Sequence, residues 1–209
     1  MTAIRKSPRQ ERSRVLVEAI VEAAASIVVR QGRHALTTNA VAVRAGVSIG
    51  SLYQYFPNRE AVLAALAWQH LDRVYRHIAA VDVRSCSTLA EATRRIVSGV
   101  FDAHYIDPAL HLALASEVAV AKLGLASPVH PETTIVVIDL FKTLPSSLAQ
   151  EVRHPDLNSA LIIVAEITHA LAHAAIAQPD AIATRIHLEN EAVRAILAYL
   201  SSSSFELTR

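Results

Sequence analysis

The chain of 209 residues has one cysteine, one methionine, one tryptophan and only five glycines, and aromatic residues make up 5% of it. A lone cysteine, Cys86, excludes an internal disulfide and suits a reducing compartment such as the cytoplasm. Scarce glycine in a chain rich in alanine and branched aliphatics disfavours a strand-and-turn architecture and favours helices. No phosphate loop, dinucleotide fingerprint or nucleophile elbow is present, so the common signatures of nucleotide-dependent and serine-hydrolase enzymes are missing. The N-terminus is charged and lacks the apolar core of a secretion signal. The most apolar stretch, Ser159 to Ala177, is interrupted by Glu166, His169 and His173. Those groups near its middle predict a buried helix rather than a membrane span, and no membrane partner is expected. Internal repeats are absent, and the one low-complexity segment is Ser201 to Ser204.

What is present is a chain long enough to bury a sizeable core, with hydrophobic residues at 52%. The net charge of +1 conceals a division: residues 1–60 hold nine Lys/Arg against four Asp/Glu, net +5, and residues 61–209 hold eleven against fifteen, net −4. Such an asymmetry suits a protein that sets its first end on a polyanion. Five of the basic residues, Arg5, Lys6, Arg9, Arg12 and Arg14, crowd the beginning of the first predicted helix, where they would supply salt-sensitive affinity for a phosphate backbone. Ser7, Pro8 and Gln10 form a capping box for that helix, and Gly32 is its stop after Arg30 or Gln31. Leu16, Ile20, Ala23, Ala24 and Ile27 make its inward stripe.

The stretch from Leu36 to Ala64 reads as a helix-turn-helix with a buttress helix attached. Thr37 caps a short helix whose apolar face is Val41, Ala42 and Ala45. Gly46 ends it in a left-handed turn, Val47 packs between helices, and Ser48 caps a second helix from Ile49 to Phe56. Leu52 and Phe56 are one turn apart and face inward; Gly50, Ser51, Tyr53, Gln54 and Tyr55 share the outer surface and the edges. Pro57 stops the helix.

Thr37, Val41, Ala42, Ala45 to Ser48, Gly50, Leu52, Tyr53, Tyr55, Phe56, Arg59 and Glu60 resemble, in order and spacing, the DNA-binding domain of the TetR family of transcriptional regulators. The resemblance covers about the first third of the chain. It implies an all-α protein with a three-helix DNA-binding domain at residues 1–60, a connecting helix four at about 59–80, and an effector-binding and dimerisation domain at 81–209. A duplex DNA operator is the implied partner, with no cofactor and no catalytic residue. Sorted by reach, Ser48, Ile49, Ser51 and Gln54 are candidates for base contact. Thr37, Thr38, Arg44, Tyr53, Tyr55 and Arg59 are candidates for phosphate contact, and Gly50 leaves room for close backbone approach. A constitutive repressor without an effector and a small helical enzyme are the alternatives.

Downstream, helix four carries Val62, Leu63, Leu66, Trp68, Leu71, Val74, Tyr75 and Ile78 on more than one face. Val81 to Ser87 is a linker, and Thr88 with Glu91 caps a helix reaching about Tyr105 before Asp107 and Pro108. Helices are expected at about Ala109 to Lys122, Pro131 to Leu144, Asp156 to Ala177 and Asp180 to Leu200. The last two carry more apolar surface than a small domain covers alone. They predict a homodimer with Leu161, Ile162, Ala165, Ile167, Ile186, Val193, Ile196 and Leu197 at its seam. The resemblance further implies a small, largely apolar effector, for which Trp68, His104, Tyr105, His111, Glu117, Asp139, His169 and His173 are the candidate contacts. Glu166, His169 and His173 share one helical face and could bind zinc or nickel, but this spacing is common by chance among ten histidines, and no metal site is expected.

Overall fold

A computed structural model describes residues 11–114, 131–178 and 180–202. Among these residues all regular structure is helical: α1 (Glu11–Gln31), a 3-10 turn (Arg33–Ala35), α2 (Thr38–Ala45), α3 (Ile49–Tyr55), α4 (Arg59–Ala79), α5 (Leu89–His104), α6 (Pro108–Leu114), α7 (Pro131–Lys142), α8 (Ser146–Ala149), α9 (Leu157–Ile176) and α10 (Ala181–Ser201). The expected capping box at Ser7 lies outside the described residues, as do the last turns of the helix predicted to reach Lys122. Gly32 stops α1 with φ 80°, a conformation only glycine adopts without strain. The 3-10 turn and α8 were not legible in the pattern. α7 ends at Lys142, two residues early, and Pro145 then starts the single turn of α8.

The chain divides into two compact units, residues 1–72 with 109–128, and residues 73–108 with 129–209. α4 belongs to both. In the first unit, Ile20, Ala24, Ile27 and Val28 of α1 meet Leu36, Val41, Leu52, Phe56, Val62 and Leu66, so the inward stripe read from α1 is the core. Leu110 and Leu114 of α6 join the same cluster. Each large side chain buried here contributes roughly 1.5–3 kcal/mol against the entropy of ordering the chain.

The second unit packs α5, α7, α9 and α10 around Val74 and Ile78 of α4, with Ile96, Val100, Phe101, Val137, Phe141, Leu161, Val164, Val193, Ile196 and Leu200 at its centre. Gly99 lets α5 approach Val81 so closely that an added Cβ would sit 2.4 Å from a Val81 methyl. Thr88 Oγ1 accepts from the Glu91 amide at 3.1 Å, as the capping signature predicted, while Glu91 Oε2 reaches one residue beyond the cap and accepts from the Ser87 amide at 2.9 Å. A polar seam ties α5 to α10: Arg185 donates to Asp102 and lies 4.8 Å over the Tyr105 ring, Ser98 donates to Glu189, and Arg94 donates to Asn190 at 2.9 Å.

α9 is long and apolar enough to cross a membrane, with a mean hydropathy of 1.6, but half of it is buried inside its own unit. The predicted seam needs a correction. Leu161, Ala165, Val193 and Ile196 are core residues and Leu197 packs half-buried against them, whereas Ile162, Ile167 and Ile186 are exposed together with Leu157, Ile163 and Ile182. Both α9 and α10 are apolar on two faces, and residue type alone does not say which face turns inward.

Candidate nucleic-acid interface

The helix-turn-helix assembles from local hydrogen bonds that the sequence predicts one by one. Thr37 Oγ1 accepts from the Ala40 amide at 3.1 Å and starts α2. Gly46 ends α2 at φ 67°, and the Val47 amide returns to the Ala42 carbonyl at 3.0 Å, which turns the chain sharply. Ser48 Oγ accepts from the Ser51 amide at 3.0 Å and starts α3, and the two serine hydroxyls share a further bond at 2.8 Å. Leu52 and Phe56 are buried and anchor α3 from behind. Asn58, which the sequence reading passed over, caps α4: its Oδ1 accepts from the Ala61 amide at 2.8 Å.

The outward face of α3 presents Ile49, Gly50, Tyr53 and Gln54 to solvent, beside the exposed Ser48 and half-exposed Ser51. Tyr53 is oriented by α2, because its hydroxyl and Thr38 Oγ1 share a hydrogen bond at 3.2 Å. Gly50 has no internal reason to be glycine. Its backbone is ordinary helix, and an added Cβ would meet nothing closer than Ser48 Oγ at 3.8 Å, although glycine inside a helix costs about 1 kcal/mol relative to alanine. Arg44, exposed on α2, donates to Ser26 of α1. Arg59 is exposed at the start of α4 and donates to Glu60 at 2.7 Å, which holds the Glu60 carboxyl below its usual range.

Tyr55 differs from expectation. It is 7% exposed, and its hydroxyl donates to Ser13 of α1 at 3.1 Å, so it braces α3 from inside rather than facing outward. Arg33 was missed. Burial in the 3-10 turn, and secondarily the positive charge of Arg59, push its guanidinium below the usual pKa, which marks two cations converging on one part of this unit. The only sequence signal for it was the basic balance of the first sixty residues.

The predicted effector contacts are distributed over both units. Trp68 is half-exposed in the first, where His111 is buried and shares a hydrogen bond with His70 at 2.8 Å. In the second, His104, His169 and His173 come together, and Tyr105 follows His104 with its ring under Arg185. Asp139 lies elsewhere, in a groove of about 350 Å³ with Tyr75, Val83, Arg84 and Thr143. Glu117 falls outside the described residues.

Residues 20–66, the span from mid-α1 into α4, match the bacterial regulatory proteins of the tetR family. Residues 88–200, over half of the chain, match the C-terminal domain of tetracycline repressor-like proteins. The chain belongs to the TetR family. As a TetR-family protein it is a DNA-binding regulator of transcription and not an enzyme, with an N-terminal helix-turn-helix domain followed by a helical C-terminal domain. Solved structures share the fold at low identity. A TetR-family transcriptional regulator from Mesorhizobium loti superposes with a TM-score of 0.72 at 15% identity, over 90% of this chain and 98% of that one. A regulatory protein from Rhodococcus gives 0.64 at 20% identity, over 90% and 98%. A third structure, described as a basis for control of antibiotic production by a bacterial hormone, gives 0.68 at 19%, over 92% and 99%. No curated relative matches the chain.

Proposed function

We propose that this TetR-family regulator is a cytoplasmic homodimeric repressor that binds a palindromic operator through α3 and is released by a small, largely apolar effector. The observation that carries the DNA-reading half is the combination at α3 of a rigid back and an unencumbered front. Leu52, Tyr55 and Phe56 fix the helix, whereas Gly50, free of any internal constraint, allows a DNA backbone to approach closely. Ser48, Ile49, Ser51 and Gln54 then reach base edges, with Gln54 suited to a bidentate pair with adenine and Ile49 to a thymine methyl. Thr37, Thr38, Arg44, Tyr53 and Arg59, joined by Arg33, set register on the phosphates. Tyr55 acts indirectly, by bracing α3.

One recognition helix reads too few base pairs to be selective, and two related by a twofold axis read a palindrome. The exposed isoleucines of α9 and α10 supply the apolar surface such a dimer needs. The effector belongs to the helices of residues 81–177, in the C-terminal division of labour, and α4, common to both units, is the lever between effector and DNA. A coupling of about 1.4 kcal/mol lowers DNA affinity tenfold, so a small displacement suffices.

Selection from random duplex DNA tests the reading. A recovered palindrome is expected, and the Tyr53→Ala, Gln54→Ala double variant loses about 1–3 kcal/mol of affinity for it or changes its sequence preference. Unchanged affinity and preference in a folded variant would end the assignment to α3. A thermal-shift screen of lipophilic metabolites, followed by operator binding, tests the sensor half; stabilising ligands that never alter operator affinity would remove it.

A further inference from the structure

We propose that His104, His169 and His173 bind a divalent transition-metal ion of the zinc class within the C-terminal unit. This goes beyond the effector reading and stands without it. His104 closes the last turn of α5, and His169 and His173 sit one turn apart on α9, so two packed helices converge three imidazoles. Ring centres are 4.7 Å apart for His104 and His169, 4.9 Å for His104 and His173, and 4.6 Å for His169 and His173. Imidazoles bound at 2.0–2.1 Å around a tetrahedral ion have ring centres about 5 Å apart, close to these separations, and one ring nitrogen of His104 lies within 4.8 Å of one of His173.

Proton placement agrees with that role. His104 Nδ1 lies 2.7 Å from the Val100 carbonyl, which accepts only, so Nδ1 carries the proton and Nε2 presents its lone pair. That lone pair points into the cluster, where His169 Nδ1 lies 3.1 Å away. An imidazole anchored to a backbone carbonyl through its other nitrogen is the usual second bond of a metal-binding histidine. On binding, His169 adopts the tautomer with its proton on Nε2, and the ion takes the place of its bond to His104.

The local field favours a cation. His104 and His173 occupy the last turns of α5 and α9, whose C-terminal ends carry partial negative charge. The Glu166 carboxylate, on the α9 face of His169 and His173, is engaged by Thr134 Oγ1 at 3.0 Å, and His104 stands as the third ligand in its place. Three neutral nitrogens select Zn²⁺, Co²⁺, Ni²⁺ or Cu²⁺ over Mg²⁺ and Ca²⁺, which require oxygen ligands. Water completes the tetrahedron.

The test uses the full chain, freed of metal with a chelator and titrated with Zn²⁺ or Co²⁺ alone. One ion per chain is expected, with the intense visible absorption of tetrahedral Co²⁺. His169→Gln and His173→Gln should each weaken binding at least tenfold, while His187→Gln, exposed on α10, leaves it unchanged. Should His169→Gln fail to fold, the half-buried His173 carries the comparison, and imidazole ¹⁵N spectra of the unmodified protein give an independent reading. There His104 should shift at Nε2 and keep its proton on Nδ1 as Zn²⁺ is added. Absence of saturable binding, undiminished binding by His173→Gln, or Zn²⁺ that perturbs none of the three imidazoles would overturn the proposal.

Discussion

In the first unit, α3 buries Leu52, Tyr55 and Phe56 and turns a mostly small or polar face outward. In the second, α9 and α10 bury one apolar face and expose another, on which Ile162 is 47%, Ile186 58% and Ile182 73% accessible. The first arrangement is complete as a packing problem, with its surface left over for recognition. The second leaves branched aliphatics in water at two long helices, a cost that an apolar partner surface removes. Similar residue types are therefore placed differently: in α3 they hold a helix still, and on the open faces of α9 and α10 they lie in water.

Four variants test this contrast. The largest effect belongs to Phe56→Ala, which opens a cavity in a closed core and costs about 3–5 kcal/mol in urea unfolding. Ile186→Ala at matched low protein concentration changes stability by no more than about 0.5 kcal/mol, since its side chain is exposed in the single chain. Equal costs would erase the distinction between the two faces. Next, Ile162→Asp combined with Ile186→Asp should raise the dissociation constant of the proposed dimer at least a hundredfold, about 2.7 kcal/mol, without loss of helix by circular dichroism. Sedimentation that finds the same dimer in this variant would mean that the exposed isoleucines are not its seam.

The smallest effect is electrostatic. Hydrogen bonds from Ser159, first from its side chain and then from its amide, which donates to Asp156 Oδ1 at 3.2 Å at the start of α9, hold the Asp156 carboxyl below the ordinary aspartate value. Because the folded pKa is the lower one, their stabilisation is fully present above the unfolded value of about 3.9 and is lost as pH falls through the folded pKa. Melting temperatures between about pH 2 and 5 should therefore fall less steeply for Asp156→Asn than for the parent protein. Parallel curves would show that this cap contributes no acid sensitivity to α9.

Legibility followed the range of the interactions involved. Caps at Thr37, Ser48 and Thr88 and the turn at Gly46 were readable because each is satisfied within a few residues of itself. The outward placement of Gly50, Tyr53 and Gln54 was readable for the same reason. Tyr55 was not, since a phenol suits either side of a helix, and the group that decides its place, Ser13, lies on another helix. Arg33 acquires its significance from burial in the folded unit and, next, from Arg59, and the seam residues from whichever neighbours cover them.

The helical class, the helix-turn-helix and the caps at Thr37 and Ser48 follow from the chain alone, because these rest on periodicities and hydrogen bonds that close within one or two turns. Only the tertiary structure decided that Tyr55 belongs to the core, that Leu161 and Ile162, adjacent in the chain, face opposite ways, and that His104 meets His169 and His173. A helix apolar on two sides has no intrinsic inside, and imidazoles 65 residues apart become one cluster only when two helices pack.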